Sequence, residues 1–449
     1  MTVIVRKILS RRAQVAAKIT LKPEQDLLET STIMSASLRA AVLQLIVAGV
    51  VVAAPGQPFD AGYESRPPLA AEKDAFIKLT MRSDGLPGLQ TVVVKDGRVL
   101  WMKSYGYAVL DQPGPAQLMR DNSILFSASV AKILVTVAVL QQVEKGRLAL
   151  DDDISPYAGF TVRNPGWPDV AITWRMLLTH TSSLNEEDDE RSSSTLSYGA
   201  DPTPSLDEIA AQDFAPNGSR HWAGQWRAAK PGSERIYSND AFVLAAFALQ
   251  RVVGEPFDRY VKHAILTPLG MHNTSYSLAG LPRERLAVGY ASLRQPDGSY
   301  RFSPAKSYWA HRDGRGSALD HQMSCSDYPS GCAHTTARDF AQLMLMLMNG
   351  GDAGGVQILK PSSVELMVTP SGFRNLDGWN QGLGLNGPLD LRGRQLWGHD
   401  GSDRGAATAV YFDLKTGVGA IAFANANDPS LQLNYGVSDI VEHLLLWFE

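Results

Sequence analysis

Ser129-Val-Ala-Lys132 sets a hydroxyl and an amine three residues apart, and on a helix that spacing puts both on one face. Serine alone is a poor nucleophile. A lysine neutralised by burial can take its proton, so the pair is an activated nucleophile in principle. The same pattern recurs at Ser303-Pro-Ala-Lys306, but Pro304 interrupts it and no apolar helix follows. Ser129 instead stands at the mouth of an apolar stretch, 130–148, that reads as a largely buried helix. Free backbone N–H groups and the helix dipole there favour a developing oxyanion. Taken alone, the pair reads equally well as a serine capping a core helix with a lysine on its rim.

Two further motifs weigh against that plain reading. Tyr237-Ser-Asn239 is the only Tyr-x-Asn among fourteen tyrosines. A tyrosine hydroxyl can relay a proton between serine and leaving group, especially beside a cationic lysine. Asn239 can donate to a substrate carbonyl and hold the lysine. His399-Asp-Gly401 is the only His-x-Gly among nine histidines, followed at once by Ser402. Glycines there let a substrate backbone lie against a strand. Each motif by itself also fits a packing role, as a turn tyrosine or a histidine at a strand end. The three in this order outweigh those separate readings.

The elements that must hold these residues come from both ends of the chain. Residues 69–81 read as a helix. Residues 90–94 and 99–101 read as strands joined through the Asp96-Gly97 turn. Helix and loop signals dominate up to about residue 350. Strand patterns return at 407–412 and 418–424 around a turn at 413–417, and 435–448 closes the chain as an amphipathic helix. One antiparallel sheet built by both chain ends, with a helical insertion, follows: an α/β part plus an all-α part. The sheet part is expected over about 70–115 and 335–449, and the helical part over about 120–330. Lys415-Thr-Gly417 falls between two strand patterns, where a turn is needed, so Lys415 is expected to point to solvent.

Composition removes whole classes of function. Of 449 residues 44% are hydrophobic and 20% charged, and the net charge is −4. No basic excess exists to bind nucleic acid or an anionic membrane surface. Two cysteines make neither a disulfide scaffold nor a cysteine zinc site. Residues 40–54 form an uncharged apolar run after Arg39 and before Pro55, which reads as a secretory signal peptide with Met34 as the true start. Residues 1–54 are then a leader and 60–449 the catalytic domain, periplasmic or secreted in a bacterium, with no stable membrane anchor. Such a compartment is oxidising, so Cys325 and Cys332 are expected to be joined.

The chain resembles the β-lactamase-related serine hydrolases, which include class C β-lactamases, DD-peptidases, D-aminopeptidases and esterases. The resemblance runs from 97–108, through the Ser-x-x-Lys motif and 146–153, to Leu177-Leu-Thr-His-Thr-Ser-Ser-Leu184. There Ser183 replaces a family glycine. Pro268-Leu-Gly-Met271 and 398–425 complete it, so nearly all of 70–449 is covered. Two features depart from the pattern. Ser330-Gly-Cys-Ala-His-Thr-Thr336 lacks the paired glycines of many relatives, and 185–230 and 281–330 are long.

The resemblance implies a β-lactamase/transpeptidase-like fold with no metal or cofactor. It implies Ser129 as nucleophile, Lys132 as base, Tyr237 as proton relay and Asn239 as substrate ligand. His399 and Gly401 fall on the active-site strand, and the N–H groups of Ser129 and Ser402 form the oxyanion hole. The expected substrate is a small ester, amide, lactam or peptide. A histidine where relatives carry lysine offers no fixed charge to a substrate carboxylate, so short esters are expected ahead of β-lactams and D-amino-acid peptides. An inactive homologue that binds cell-wall peptides, and acyl transfer in place of hydrolysis, are the competing functions.

Overall fold

The computed structural model describes residues 69–110, 115–185, 195–222, 224–309, 319–429 and 435–449; the leader run at 40–54 lies outside them. No helix among the described residues is long and apolar enough to cross a membrane. The chain divides into two units, Met1–Pro58 with Leu389–Arg394, and Phe59–Pro388 with Gln395–Glu449. Within Leu389–Arg394 the Asp390 carboxylate accepts the N–H groups of Arg392 and Arg394 and closes a turn. The larger unit holds the sheet and the three motifs.

Helix α1 (Ala71–Ser83) leads into strand β1 (Gly88–Lys95), which returns as β2 (Arg98–Val109). Asp96 and Gly97 both have positive φ, 52° and 74°, the conformation a two-residue hairpin turn demands. Beside β2 lies the short β3 (Gln117–Leu118). The remaining strands arrive late: β4 (Asn380–Gln381), β5 (Asn386–Gly387), β6 (Trp397–Asp403), β7 (Ala406–Asp413) and β8 (Val418–Ala424). The sheet order is β4-β5-β6-β7-β8-β1-β2-β3, with β1 antiparallel to β8 from Leu89↔Ala424 to Lys95↔Val418. The two chain ends therefore meet in the middle of one sheet, as expected.

Side chains alternate across that sheet, and each face has its own cover. Leu89, Val93, Ala409, Ala420 and Ala422 pack in one cluster with Ile77 and Met81 of α1. Ile440 and Leu444 of the C-terminal helix α6 (Tyr435–Trp447) complete it. Val92, Val94, Val410, Ile421 and Phe423 face the opposite way, into the core of the helical layer. That layer contains α2 (Lys132–Glu144), α4 (Asn239–Val253) and α5 (Ala337–Met348), with the short α3 (Trp174–Leu178) beside them. A sheet covered on both faces needs apolar residues on both, so these strands read as continuous hydrophobic runs.

Two expectations need correcting. The helix expected over 130–148 is a 3₁₀ turn, Ala128–Ala131, followed by α2, which stops at Glu144. Gly146, at φ 66°, ends it in the left-handed conformation. The insertion is also less helical than it reads. Tyr290–Arg294 pairs with Tyr300–Pro304, and Leu196–Tyr198 with Met323–Cys325. Strands of three to five residues carry too little periodicity to register in the sequence.

Candidate active site

Ser129 sits in the 3₁₀ turn that opens α2, directly after Ala128, whose φ is 49°. A non-glycine residue in that region costs on the order of 1–3 kcal/mol and persists only where its surroundings force it. Three hydrogen bonds on Ser127 do so. Its N–H donates to Ala333 O (2.8 Å) and its Oγ to Gly331 O (3.1 Å), and its carbonyl accepts Thr408 Oγ1 of β7 (2.9 Å). The Ser129 turn is thus tied to both the sheet and the 330–334 segment.

Lys132 is fully buried. Its Nζ lies 2.7 Å from Asn239 Oδ1 and 3.1 Å from Ser129 Oγ, and it also donates to the carbonyl of Ser330. A carbonyl and a carboxamide oxygen can only accept, so two directions of the amine are permanently donors. The third faces Ser129 Oγ, where a proton can pass either way. From the other side Tyr237 donates its hydroxyl to Ser129 Oγ at 2.8 Å, its ring centroid 5.1 Å from Nζ. Ser129, Lys132, Tyr237 and Asn239 therefore meet in one hydrogen-bonded cluster. Ser303, by contrast, lies in the strand Tyr300–Pro304, paired with Ala291.

Strand β6 carries His399, Gly401 and Ser402. It pairs fully with β7 but meets β5 only at Asn386↔Gly398, so among the described residues no strand lies beside its second edge beyond Gly398. A Cβ at Gly401 would come within 2.8 Å of Ser129 N and 2.9 Å of Ala128 Cβ, so the β6 backbone passes hard against the Ser129 turn. His399 is buried, and its Nδ1–H donates to Asp400 O at 2.5 Å, leaving Nε2 as an acceptor. Burial, and then the charge of Lys132, pushes its pKa down to about 3. The ring is neutral at any ordinary pH.

Lys415 is exposed in the turn between β7 and β8, where its N–H donates to Asp413 Oδ1 (2.8 Å) and Gly417 has φ 68°. The Lys-Thr-Gly spelling there is a turn sequence. Lys415→Ala should leave kcat/KM within about twofold of wild type, as for most exposed substitutions. His399→Ala should lower it at least tenfold. Steady-state rates of both variants on one ester check this, and the opposite ranking would move the active-site strand.

Two participants escaped the sequence reading. Ser330 acts through its carbonyl, which no residue type announces. Arg235 lies with its guanidinium carbon 5.8 Å from the Tyr237 ring centre while its Nε donates to Gln381 Oε1, placing a cation beside the site. Its charge also acts on His399 and Asp400. Ser183, in the position of the family glycine, has φ 64°, which shows why a glycine suits that place.

Cys325 and Cys332 are bonded to each other and buried, and the loop they close contains Ser330. That loop holds one of the two fixed acceptors of Lys132, so the bridge should matter to catalysis as well as stability. Native protein should show no alkylatable thiol without reductant, and Cys332→Ser should lower kcat about tenfold. Intact-mass and rate measurements check both.

The sequence matches the beta-lactamase family over residues 74–438. It is 24% identical over 378 residues to Protein flp of Staphylococcus aureus (strain N315), covering 83% of this chain and 65% of that one. The chain thus spans just under two thirds of the length of such curated relatives. Among solved structures, the D-amino acid amidase from Ochrobactrum anthropi SV3 superposes with TM-score 0.62 at 21% identity, over 84% of this chain and 99% of that one. The octameric penicillin-binding protein homologue from Pyrococcus abyssi gives TM-score 0.62 at 21% identity, over 84% and 76%. At these identities the structures establish a shared fold.

Proposed function

The chain belongs to the β-lactamase family, and on that premise we propose that it is a secreted serine hydrolase working through an acyl-enzyme on Ser129, with short carboxylic esters as preferred substrates. Ser129 Oγ passes its proton to Lys132 Nζ and bonds to the substrate carbonyl carbon. The N–H groups of Ser129 and Ser402 hold the oxyanion. As the tetrahedral adduct collapses, the carbonyl-to-leaving-group bond breaks and the leaving oxygen takes a proton from the Tyr237 hydroxyl, which Lys132 resupplies. Water then repeats the sequence on the acyl-enzyme with the roles reversed. The intact Ser129–Lys132–Tyr237 cluster argues against an inactive peptide-binding homologue.

The observation that carries the ester preference is the neutral His399, whose one ring proton is committed to Asp400 O. It offers a substrate carboxylate neither charge nor donor. Asp400 and Asp403, both half-buried, stand on the same strand and add no positive charge to receive an anion. A second reading, cleavage of peptides or lactams bearing a carboxylate, draws its support from Arg235 beside Tyr237. A panel of p-nitrophenyl acetate and butyrate, nitrocefin and D-amino-acid amides separates the two, compared as kcat/KM. The ester reading expects p-nitrophenyl esters to lead nitrocefin, with Arg235→Gln changing ester rates less than threefold. Nitrocefin, which bears a carboxylate, leading, with loss of that lead in Arg235→Gln, would favour the second reading.

A further inference from the structure

The Leu177–Leu184 motif has no role in the chemistry above, yet its histidine touches the segment that carries the proton relay. His180 is buried to 1% exposure and follows α3 with φ 57°. Its ring stacks on Tyr237 at 4.4 Å between centroids and 29° between planes, and it also packs, tilted, against Phe242 of α4 at 5.1 Å. The Ser238 N–H donates to its Nδ1 at 3.1 Å, and the Ile236 N–H donates to its carbonyl at 2.7 Å. One residue thus holds the backbone on both sides of Tyr237 and the ring of Tyr237 itself.

We propose that His180 is the positioning residue of the proton relay, holding the Tyr237 hydroxyl on Ser129 Oγ through ring stacking and its Nδ1 acceptor. This rests on the reading of Tyr237 as the group that protonates the leaving atom. The chemistry of the contact requires a neutral ring, because Nδ1 must keep its lone pair to accept the Ser238 N–H. Burial, with Arg235, Lys132 and His399 nearby, keeps the imidazole pKa well below its ordinary value. The left-handed backbone suits the role. It turns the chain sharply after α3, so that the same residue presents both ring and carbonyl to 236–238. A tyrosine free to swing about χ1 would lose the 2.8 Å contact, and a misplacement of about 1 Å in a catalytic group can cost on the order of 10²-fold.

The test exploits leaving groups. p-Nitrophenolate departs without a proton, whereas the alkoxide of ethyl butyrate needs one, so a displaced relay penalises the alkyl ester selectively. His180→Asn keeps a side-chain oxygen acceptor and tolerates positive φ, whereas His180→Ala removes ring and acceptor together. Tyr237→Phe calibrates the loss of the relay. The expected result is a fall of 30-fold or more in kcat/KM, which reads acylation, for ethyl butyrate in His180→Ala. The fall in kcat/KM on p-nitrophenyl butyrate should be under fivefold, with partial recovery on ethyl butyrate in His180→Asn. Stoichiometric labelling of Ser129 by a fluorophosphonate, with an unchanged near-UV spectrum, identifies folded variants. If the folded His180 variants lose both esters equally, or neither, while Tyr237→Phe remains selective, His180 has no positioning role. If Tyr237→Phe itself shows no selectivity, the relay reading fails first and the proposal falls with it.

Discussion

Ser129→Ala should abolish turnover, lowering kcat by at least about 10⁴-fold while leaving the melting transition within a few degrees of wild type. The side chain is half-buried at a turn, and the core of the helical layer comes from α2 and α4 rather than from Ser129. Lys132→Ala should be nearly as damaging to rate, because in the mechanism we propose Oγ and Nζ, 3.1 Å apart, exchange one proton and act as a unit. The double variant should therefore be no worse than either single one, the signature of groups serving the same step. Lys132→Ala should also cost stability where Ser129→Ala does not, since it leaves Asn239 Oδ1 and Ser330 O without their buried donor. Rates and thermal melts on all three variants check both statements. Additive losses in the double variant would separate the serine from the lysine.

Gly401→Ala should cost about 10²-fold or more in kcat, the larger share of it in acylation. A methyl group there meets backbone, 2.8 Å from Ser129 N, and that N–H is one arm of the oxyanion hole we propose. Either β6 or the nucleophile turn must yield, and the turn is already strained at Ala128. The same methyl would press on Thr408 Oγ1, which secures the carbonyl of Ser127. Stability should fall by about 1–3 kcal/mol, the ordinary cost of overpacking, with the fold retained. Single-turnover acylation monitored as p-nitrophenolate release checks this. An undisturbed acylation rate would mean that the oxyanion is held elsewhere.

What the sequence made legible, and what it did not, divides along physical lines. The β1–β2 hairpin and the β7–β8 pair were readable because β-branched and aromatic runs end in turn chemistry that few other structures use. Ser129, Lys132, Tyr237 and His399 were readable as candidates because their side chains could do chemistry and stand in motifs whose order is unusual. Ser330 was not, since its contribution is a main-chain carbonyl brought to Lys132 by a disulfide-closed loop. Arg235 was hidden among other charged residues, because only tertiary packing brings its guanidinium to the Tyr237 ring. The end of α2 was overrun because the helix is buried on nearly all sides, which erases the polar stripe that marks a boundary.

The central claim, a covalent intermediate on Ser129, is tested most directly by trapping it. Protein treated with a fluorophosphonate, or quenched in acid during turnover of a slow ester, should gain the mass of a single phosphonyl or acyl group. Peptide mapping should place that mass on Ser129 and leave Ser303 unmodified. Ser129→Ala should gain no mass under the same conditions. An adduct mapped to any other residue, or turnover of the ester by Ser129→Ala at the wild-type rate, would contradict the account.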